Sequence, residues 1–396
     1  MNQQTPRQIL IAGGGIGGLS AALACLRCAC EVRLFEQADD FSEFGAGIQL
    51  GPNVTRVLHA WGLAEPLSAV AAFPEVLKLR DARSGAQLGA LQLGAAFVQR
   101  YGAPYATIHR ADLQALLLEA VQRHAQARFY LRSQVVAVSQ DMEGVTLQTL
   151  DGRQAQGDAL VGADGIRSRV RAAMLNDASA RATGHLAYRA LVPQQDLPAA
   201  QRSQQVTVWM GERLHVVQYP VCGGEFLNVV AVIHGQIAAD AMPGWDHAAN
   251  AADLRAALAA TTPDLRKLIE AIDAWRLWPL YDRPPMQGAN EQAQGRVALL
   301  GDAAHPMRPY LAQGAGMAIE DAAALGAALG RGGLTVAEAL GQYAHQRWQR
   351  NAQVQAKAIR NGQVFHAAGP VRWGRDMALR LLGERVLDQP WLYGQS

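Results

Sequence analysis

The sequence predicts an α/β fold in which a discontinuous domain built on a parallel sheet is interrupted by an antiparallel sheet and followed by a helical C-terminal region. Three observations lead there. Short apolar runs end in Gly or Asp at three separated places: QILIAGGGIGG from Gln8, ALVGADGIRSRVR from Ala159, and RVALLGDAAHPMRPYLAQGAGMAIED from Arg296. Between the second and third, Tyr188 to His234 is rich in strand-forming residues joined by short polar turns. From Ala322 to Phe365 the pattern is mostly helical.

Taken in order, Gln8 to Ala12 is an apolar strand running into Gly13, Gly15 and Gly18 in GxGxxG register. Ser20 to Leu26 reads as helix and Glu31 to Phe35 as a second strand, closed by Glu36. This is a Rossmann-like βαβ unit: the glycines permit a tight turn and the approach of a pyrophosphate, and the acid can accept from ribose hydroxyls. Cys25, Cys28 and Cys30 fall on this helix and its exit. The CxxxxC spacing of Cys25 and Cys30 is that of flavin disulfide reductases, but no complementary Cys or His set follows at zinc spacing, so the three read as small buried hydrophobes and no metal is expected.

In FSEFGAGIQLGPNV, Gly45, Gly47 and Gly51 keep side chains away from a neighbour, and Asn53 starts an amphipathic helix. Val76 to Leu93 alternates about a turn at Ser84 and Gly85, as a hairpin does. Tyr105 to Arg110 is a strand and Asp112 to His124 a helix, which puts Arg110 at a junction suited to a ligand. A meander over Gln134 to Leu150 leads to the second motif, where Asp164 and Gly165 end a buried strand before a helix bearing Ser168 and Arg169.

In RLHVVQYPV, His215, Val217 and Tyr219 share a strand face. Asp253 to Ile272 is helical, and WRLWPLYDRPPM returns the chain to the third motif. There Gly301 and Asp302 end a strand, His305, Pro306 and Pro309 interrupt regular bonding, and Gly314 and Gly316 allow close approach at a helix N-terminus, which suits an electron-rich ligand edge.

The bulk numbers exclude some functions. The chain has 396 residues, half of them apolar and 18% charged, with a net charge of +2. That balance, with no basic cluster interleaved with aromatics beyond a short run from Arg167 to Arg171, gives no reason to expect a nucleic-acid partner. No run of about 18 apolar residues occurs and the N-terminus lacks a signal pattern, so a cytoplasmic protein without a membrane partner is expected.

The three motifs in this order resemble the single-component, FAD-dependent aromatic hydroxylases, the family of salicylate, 3-hydroxybenzoate and 6-hydroxynicotinate hydroxylases. The resemblance covers nearly the whole chain. It implies noncovalent FAD, transient binding of NADH or NADPH, and oxygen transfer from a flavin hydroperoxide to a small phenolic or hydroxylated aromatic acid.

It further implies that Gly13, Gly15 and Gly18 hold the pyrophosphate, Glu36 the ribose and Asp302 the ribityl chain. Arg110 and Asp164 match family contacts, Gly314, Ala315 and Gly316 line the flavin ring, and Gln49 joins the cofactor contacts. His215 and Tyr219 match a His and Tyr four residues apart that act on substrate, and Pro306 and Pro309 border its pocket. Arg308 is a further candidate for a substrate carboxylate. Two departures bear on substrate: Gln49 stands where hydroxynicotinate enzymes carry His, and Pro309 where some hydroxybenzoate enzymes carry a polar residue.

The resulting division is FAD-binding parts over 1–75, 101–180 and 276–330, a substrate-domain hairpin over 76–100, a substrate domain over 181–275, and a helical region over 331–396. A monomer or homodimer is expected. The alternatives are a flavin dehydrogenase or reductase, a halogenase, whose GWxWxIP motif GWDH at Gly244 does not match, and a non-catalytic flavin-binding redox sensor.

Overall fold

The computed structural model describes residues 6–41, 46–235, 247–248 and 251–394. The chain divides into two units, one of Met1–Phe44, Ala111–Arg181 and Tyr281–Ala358, the other of Gly45–Arg110, Ala182–Leu280 and Ile359–Ser396. Residues 45–75 and 359–396 therefore cluster with the sheet-rich unit, at other boundaries than the six segments expected from sequence.

The first unit is built on a six-stranded sheet. Its central strand, Gln8–Ala12, pairs in parallel with Glu31–Phe35 on one side and Ala159–Gly162 on the other. Ala127–Tyr130 extends one edge in parallel, and Val297–Leu299 extends the other before the antiparallel edge strand Ala293–Gln294. The central strand is apolar from Ile9 to Ala12 because both faces are covered; Ile9, Leu10 and Ile11 are fully buried. The helices Ile16–Arg27 and Gly314–Leu329 approach closely at Gly326, where a Cβ would lie 3.0 Å from the Ala24 Cβ. The meander is a three-stranded sheet of Val135–Gln140, Val145–Thr149 and Gln154–Gly157.

Cys25 is buried in the first helix, and burial pushes its thiol well up. Cys28 and Cys30 lie with their sulfurs 3.7 Å apart, as thiols in hydrogen-bond contact.

The second unit carries an eight-stranded sheet whose long strands are Arg181–Pro193, Phe226–His234 and Leu214–Val221, antiparallel and adjacent in that order. One face packs on the helices Ala251–Ala257 and Pro263–Glu270 through Tyr188, Val216, Val229, Leu254 and Leu268. The sheet is largely antiparallel, as expected, and the hairpin Val76–Asp81 and Gln87–Gln92 joins it through a parallel pairing of Val76–Asp81 with Val206–Gly211, which a long connection allows. One expectation needs correction. Helix over Asp253 to Ile272 is broken: the first helix ends at Ala257, and Pro263, whose fixed φ and missing N–H suit a first helical position, starts the second after Thr262. The WRLWPLYDRPPM stretch supplies a further strand, Arg276–Asp282, in the same sheet.

Among the described residues, no helix is long and apolar enough to cross a membrane.

Candidate functional site

In the first unit the chain leaves its central strand at Gly13 with φ of 100°, a left-handed conformation that favours glycine. A Cβ at Gly13 would lie 2.4 Å from the Ala163 carbonyl oxygen, and one at Gly18 would lie 1.9 Å from the Gly13 carbonyl oxygen. Gly15 precedes the Ile16–Arg27 helix with no side-chain cap, so the helix start keeps its backbone donors and partial positive charge for another acceptor. Glu36 is fixed against this loop: its carboxylate accepts from Gly14 N at 2.5 Å and Ala38 N at 2.8 Å. Gln114, which sequence reading passed over, donates to the Gly14 carbonyl at 3.1 Å and braces the loop from behind.

The second motif is tied to its own helix. Asp164 accepts from Ser168 Oγ at 2.6 Å, Arg169 N at 2.7 Å and Val170 N at 3.2 Å, organising entry to the helix Arg169–Leu175. Burial outweighs these bonds and raises its pKa above the usual aspartate range. This helix-entry role was not visible from the strand-end pattern.

In the third motif Gly301, at φ of 61°, turns the strand into the 3₁₀ turn Gly301–Ala303, where Asp302 is exposed. Pro306 is buried with its carbonyl accepting from Gln355 at 3.1 Å, and half-buried Pro309 opens the turn Pro309–Leu311. Gly314 and Ala315 are half-buried and Gly316 is buried at the start of the Gly314–Leu329 helix, which has no side-chain cap; a Cβ at Gly314 would meet no atom of the described residues within 4 Å. Arg308 donates from Nε to Asp282 at 2.7 Å, and Asp282, almost fully buried, also takes Arg181 at 3.0 Å.

What holds this motif in shape is Asp321, a residue read from sequence only as the end of the stretch. Fully buried, it accepts from His305 Nε2 at 2.5 Å, Arg347 Nε at 2.8 Å, Asn351 Nδ2 at 3.0 Å and Gly301 N at 3.3 Å. Burial raises its pKa, but His305, Arg347 and their hydrogen bonds prevail and hold it far below the usual range. Glu320, beside it, pairs with Arg347 and Arg350.

In the second unit Gln49, on the short strand Gly47–Leu50, accepts from Tyr105 at 2.6 Å. Arg110 opens the helix Arg110–Gln122, half-buried, with its N–H donating to Ala46 O at 3.3 Å. The neighbour that Gly47 accommodates is the sheet itself, since a Cβ there would lie 2.8 Å from the side chains of Tyr219 and Val221. Gly51 likewise lies against Asn53 and Tyr393, while Gly45 and Gly244 lie outside the described residues.

His215 and Tyr219 are both buried, and the Tyr219 hydroxyl donates to the Gly47 carbonyl at 2.6 Å, which leaves its oxygen lone pairs as acceptors. Burial, reinforced by His185, pushes His215 down to about 3, so the ring is neutral at neutral pH. Cross-strand registers pair His215 with Val232, Arg189 with Val230, Val230 with Val217 and Tyr219 with Asn228. Partners across a sheet share a face, and the other face carries Tyr188, Val216, Val229 and Ala231. His215, Tyr219 and Arg189 therefore project together.

Arg189 was missed from sequence because an Arg in a strand usually marks the solvated side. Its guanidinium lies 4.0 Å over the Trp278 ring, its Nε has no hydrogen-bond partner among the described residues, and burial lowers its pKa to about 10.

The first unit thus fits a dinucleotide: a loop that only hydrogen fills at two positions, uncapped helix starts at both Gly15 and Gly314, and an acid at the second strand end. This is the class of α/β dinucleotide-binding proteins. The family described as "FAD binding domain" matches residues 7–358. The chain is 38% identical over 389 residues to a 3-hydroxybenzoate 6-hydroxylase of Polaromonas naphthalenivorans, covering 98% of this chain and 95% of that one. It is 36% identical over 356 residues to a 6-hydroxynicotinate 3-monooxygenase of Bordetella bronchiseptica, covering 89% and 90% respectively. The solved structure of Klebsiella pneumoniae HpxO complexed with FAD and uric acid superposes with a TM-score of 0.84 at 28% identity, over 96% of this chain and 94% of that one. The chain belongs to the FAD-binding family and, within it, to the FAD-dependent aromatic hydroxylases. It is a monooxygenase with FAD as cofactor.

Two outcomes follow from this geometry. Gly18→Ala should fold but lose bound flavin, weakening FAD by at least about tenfold, because its methyl meets backbone; flavin content and a binding titration measure this. Asp321→Asn should destabilise the first unit by about 3 kcal/mol, measured by chemical denaturation at pH 7. Because the Asp321 pKa is depressed on folding, its contribution is complete above ~4 and is lost as pH falls below that value, so the gap between wild type and variant should close in acid.

Proposed function

We propose that the enzyme hydroxylates a small aromatic acid bearing a ring hydroxyl, with NADH or NADPH as reductant and dioxygen as co-substrate. When bound, FAD would accept a hydride from the nicotinamide and supply the flavin-hydroperoxide chemistry by which dioxygen gives one atom to the ring. The glycines Gly13, Gly15 and Gly18, with Glu36, Asp302 and the Gly314–Gly316 helix start, serve the cofactor. Asp164, Gln49 and Arg110 serve it by family resemblance, and Pro306 and Pro309 border the substrate. The 1–75, 101–180 and 276–330 segments carry the cofactor function, and the 76–100 and 181–275 segments the substrate function.

The observation that supports this reading is the shared face of His215, Tyr219 and Arg189. A phenol near pKa ~10 is about 0.1% ionised at pH 7, and ionising it costs about 4 kcal/mol, yet the phenolate ring is by far the better nucleophile. His215, neutral because burial lowers its pKa to about 3, is the acceptor for that proton. Tyr219, beside it on the same face with its own hydrogen committed to the Gly47 carbonyl, orients the substrate ring by contact and leaves the single hydroxyl proton to His215. Arg189, a partly buried cation whose Nε has no partner among the described residues, offers a carboxylate the charge-assisted pairing it lacks. The relatives named for 3-hydroxybenzoate and 6-hydroxynicotinate act on rings that carry both groups.

The test is substrate-dependent NADH or NADPH consumption in air, with the hydroxylated product identified. His215→Ala should keep FAD and slow hydroxylation by roughly 100-fold. Arg189→Met should raise the KM for the aromatic acid by about tenfold or more with little change in kcat, since it removes binding common to ground and transition states. Unchanged turnover in His215→Ala removes that residue from the reaction.

A further inference from the structure

The His215 ring does not end in apolar packing. Its Nδ1 lies 2.8 Å from Nε2 of His366, and the Nδ1 of His366 lies 2.8 Å from Nε2 of His234. Three imidazoles are joined nitrogen to nitrogen, from fully enclosed His215 through buried His366 to half-buried His234. His366 follows the last residue of the helix Val336–Phe365, with its N–H on the Gly362 carbonyl at 3.2 Å, so it sits at the negative end of a helix. The charged residues beside it among the described ones include Arg213, whose N–H donates to the His366 carbonyl at 3.3 Å, Arg375, which donates to the Val364 and Phe365 carbonyls at 3.0 and 2.9 Å, and Asp376, paired with Arg375 at 2.7 Å. His185 completes the surroundings by stacking on His234 at 4.4 Å.

A ligand atom from each of His185, His234 and His366 lies within 4.8 Å of the other two, a separation that a metal ion could span. The orientation argues for hydrogen bonding instead. The His185 and His234 planes are inclined by only 26°, which sets their lone pairs side by side rather than toward one point, and both nitrogens of His366 already lie along the chain.

We propose that His366 and His234 form a proton relay that carries the substrate's ring-hydroxyl proton from His215 to the half-buried end of the chain. The inference rests on the reading of His215 given above. The substrate O–H breaks as an N–H forms at Nε2 of His215. The Nδ1 proton of His215 passes to Nε2 of His366, the Nδ1 proton of His366 passes to Nε2 of His234, and the Nδ1 proton of His234 leaves to water. One proton enters and one leaves, no electrons move, and each ring ends neutral with its proton on Nε2. Passage of a proton back toward the product restores the starting tautomers. The relay answers a mismatch: a proton taken from a group near ~10 does not rest on a ring that burial holds at about 3, so ionisation needs an exit.

The experiment mixes the FAD-loaded enzyme with 3-hydroxybenzoate in a stopped-flow instrument, without nicotinamide, and reads phenolate by ultraviolet absorbance and proton release by an indicator dye. Glutamine at position 366 can still donate and accept hydrogen bonds but cannot pass a proton. His366→Gln should therefore keep FAD and 3-hydroxybenzoate affinity while slowing both signals by at least about tenfold. His234→Gln, a change at the half-buried end, should act in the same direction without threatening the fold. The wild-type rate should show a curved proton inventory in mixtures with deuterium oxide, the mark of several protons in flight, and a purely structural role would not produce it. If both glutamine variants match wild type while His215→Ala loses the signals, the relay is wrong and His215 stands as base. If the wild type itself forms no phenolate, or His215→Ala matches it, the reading of His215 fails and the relay with it.

Discussion

The first unit depends on one buried carboxylate. Asp321 draws a strand-end amide, a histidine from the irregular crossing and an arginine from a later helix onto two oxygens. A charge so enclosed is tolerated only when its partners are complete, so the turn at Gly301, the crossing through His305 and the start of the Gly314–Leu329 helix cannot shift independently. That rigidity lets exposed Asp302 and the uncapped helix start be held in place by a segment whose prolines and glycines would not order it alone. Catalytic groups positioned by a locked supporting shell are the general requirement for chemistry that a cofactor performs.

The second unit solves a different problem. Its eight-stranded sheet spends one face on helices, where Tyr188, Val216 and Val229 make an apolar core. The other face gathers polar groups that would be costly if unsatisfied: a neutral His215, Tyr219 bonded to a backbone carbonyl, and Arg189 stacked on Trp278. Their burial sets their properties. It keeps His215 free of its proton, raises the Tyr219 hydroxyl above its ordinary range and lowers Arg189 to about 10. Perturbed groups gathered on one surface support the proposal that this face takes the aromatic substrate.

Much of this was legible in the sequence. The glycines after the first strand and the acids at Glu36, Asp164 and Asp302 follow from rules in which a local residue type dictates a local backbone, and each lies at a strand end in the structure. The break at Pro263 was equally local but was overridden by a continuous helical pattern. Other features were hidden because they join distant residues. The partners of Asp321 come from as far along the chain as Arg347 and Asn351, and His366 reaches His215 from beyond the last helix turn. The parallel pairing of the hairpin with Val206–Gly211 is likewise a tertiary choice, since alternation reads the same in either direction.

The central claim, that an aromatic acid and a nicotinamide cofactor meet their chemistry in this flavoprotein, is tested most directly by the anaerobic rate at which NADH or NADPH bleaches the bound FAD. The panel is salicylate, the hydroxybenzoates and 6-hydroxynicotinate. The account predicts slow bleaching alone and strong acceleration by an aromatic acid that is also hydroxylated when air is admitted. Fast bleaching that ignores every aromatic would indicate a dehydrogenase or reductase, and no bleaching by either nicotinamide would contradict the account altogether.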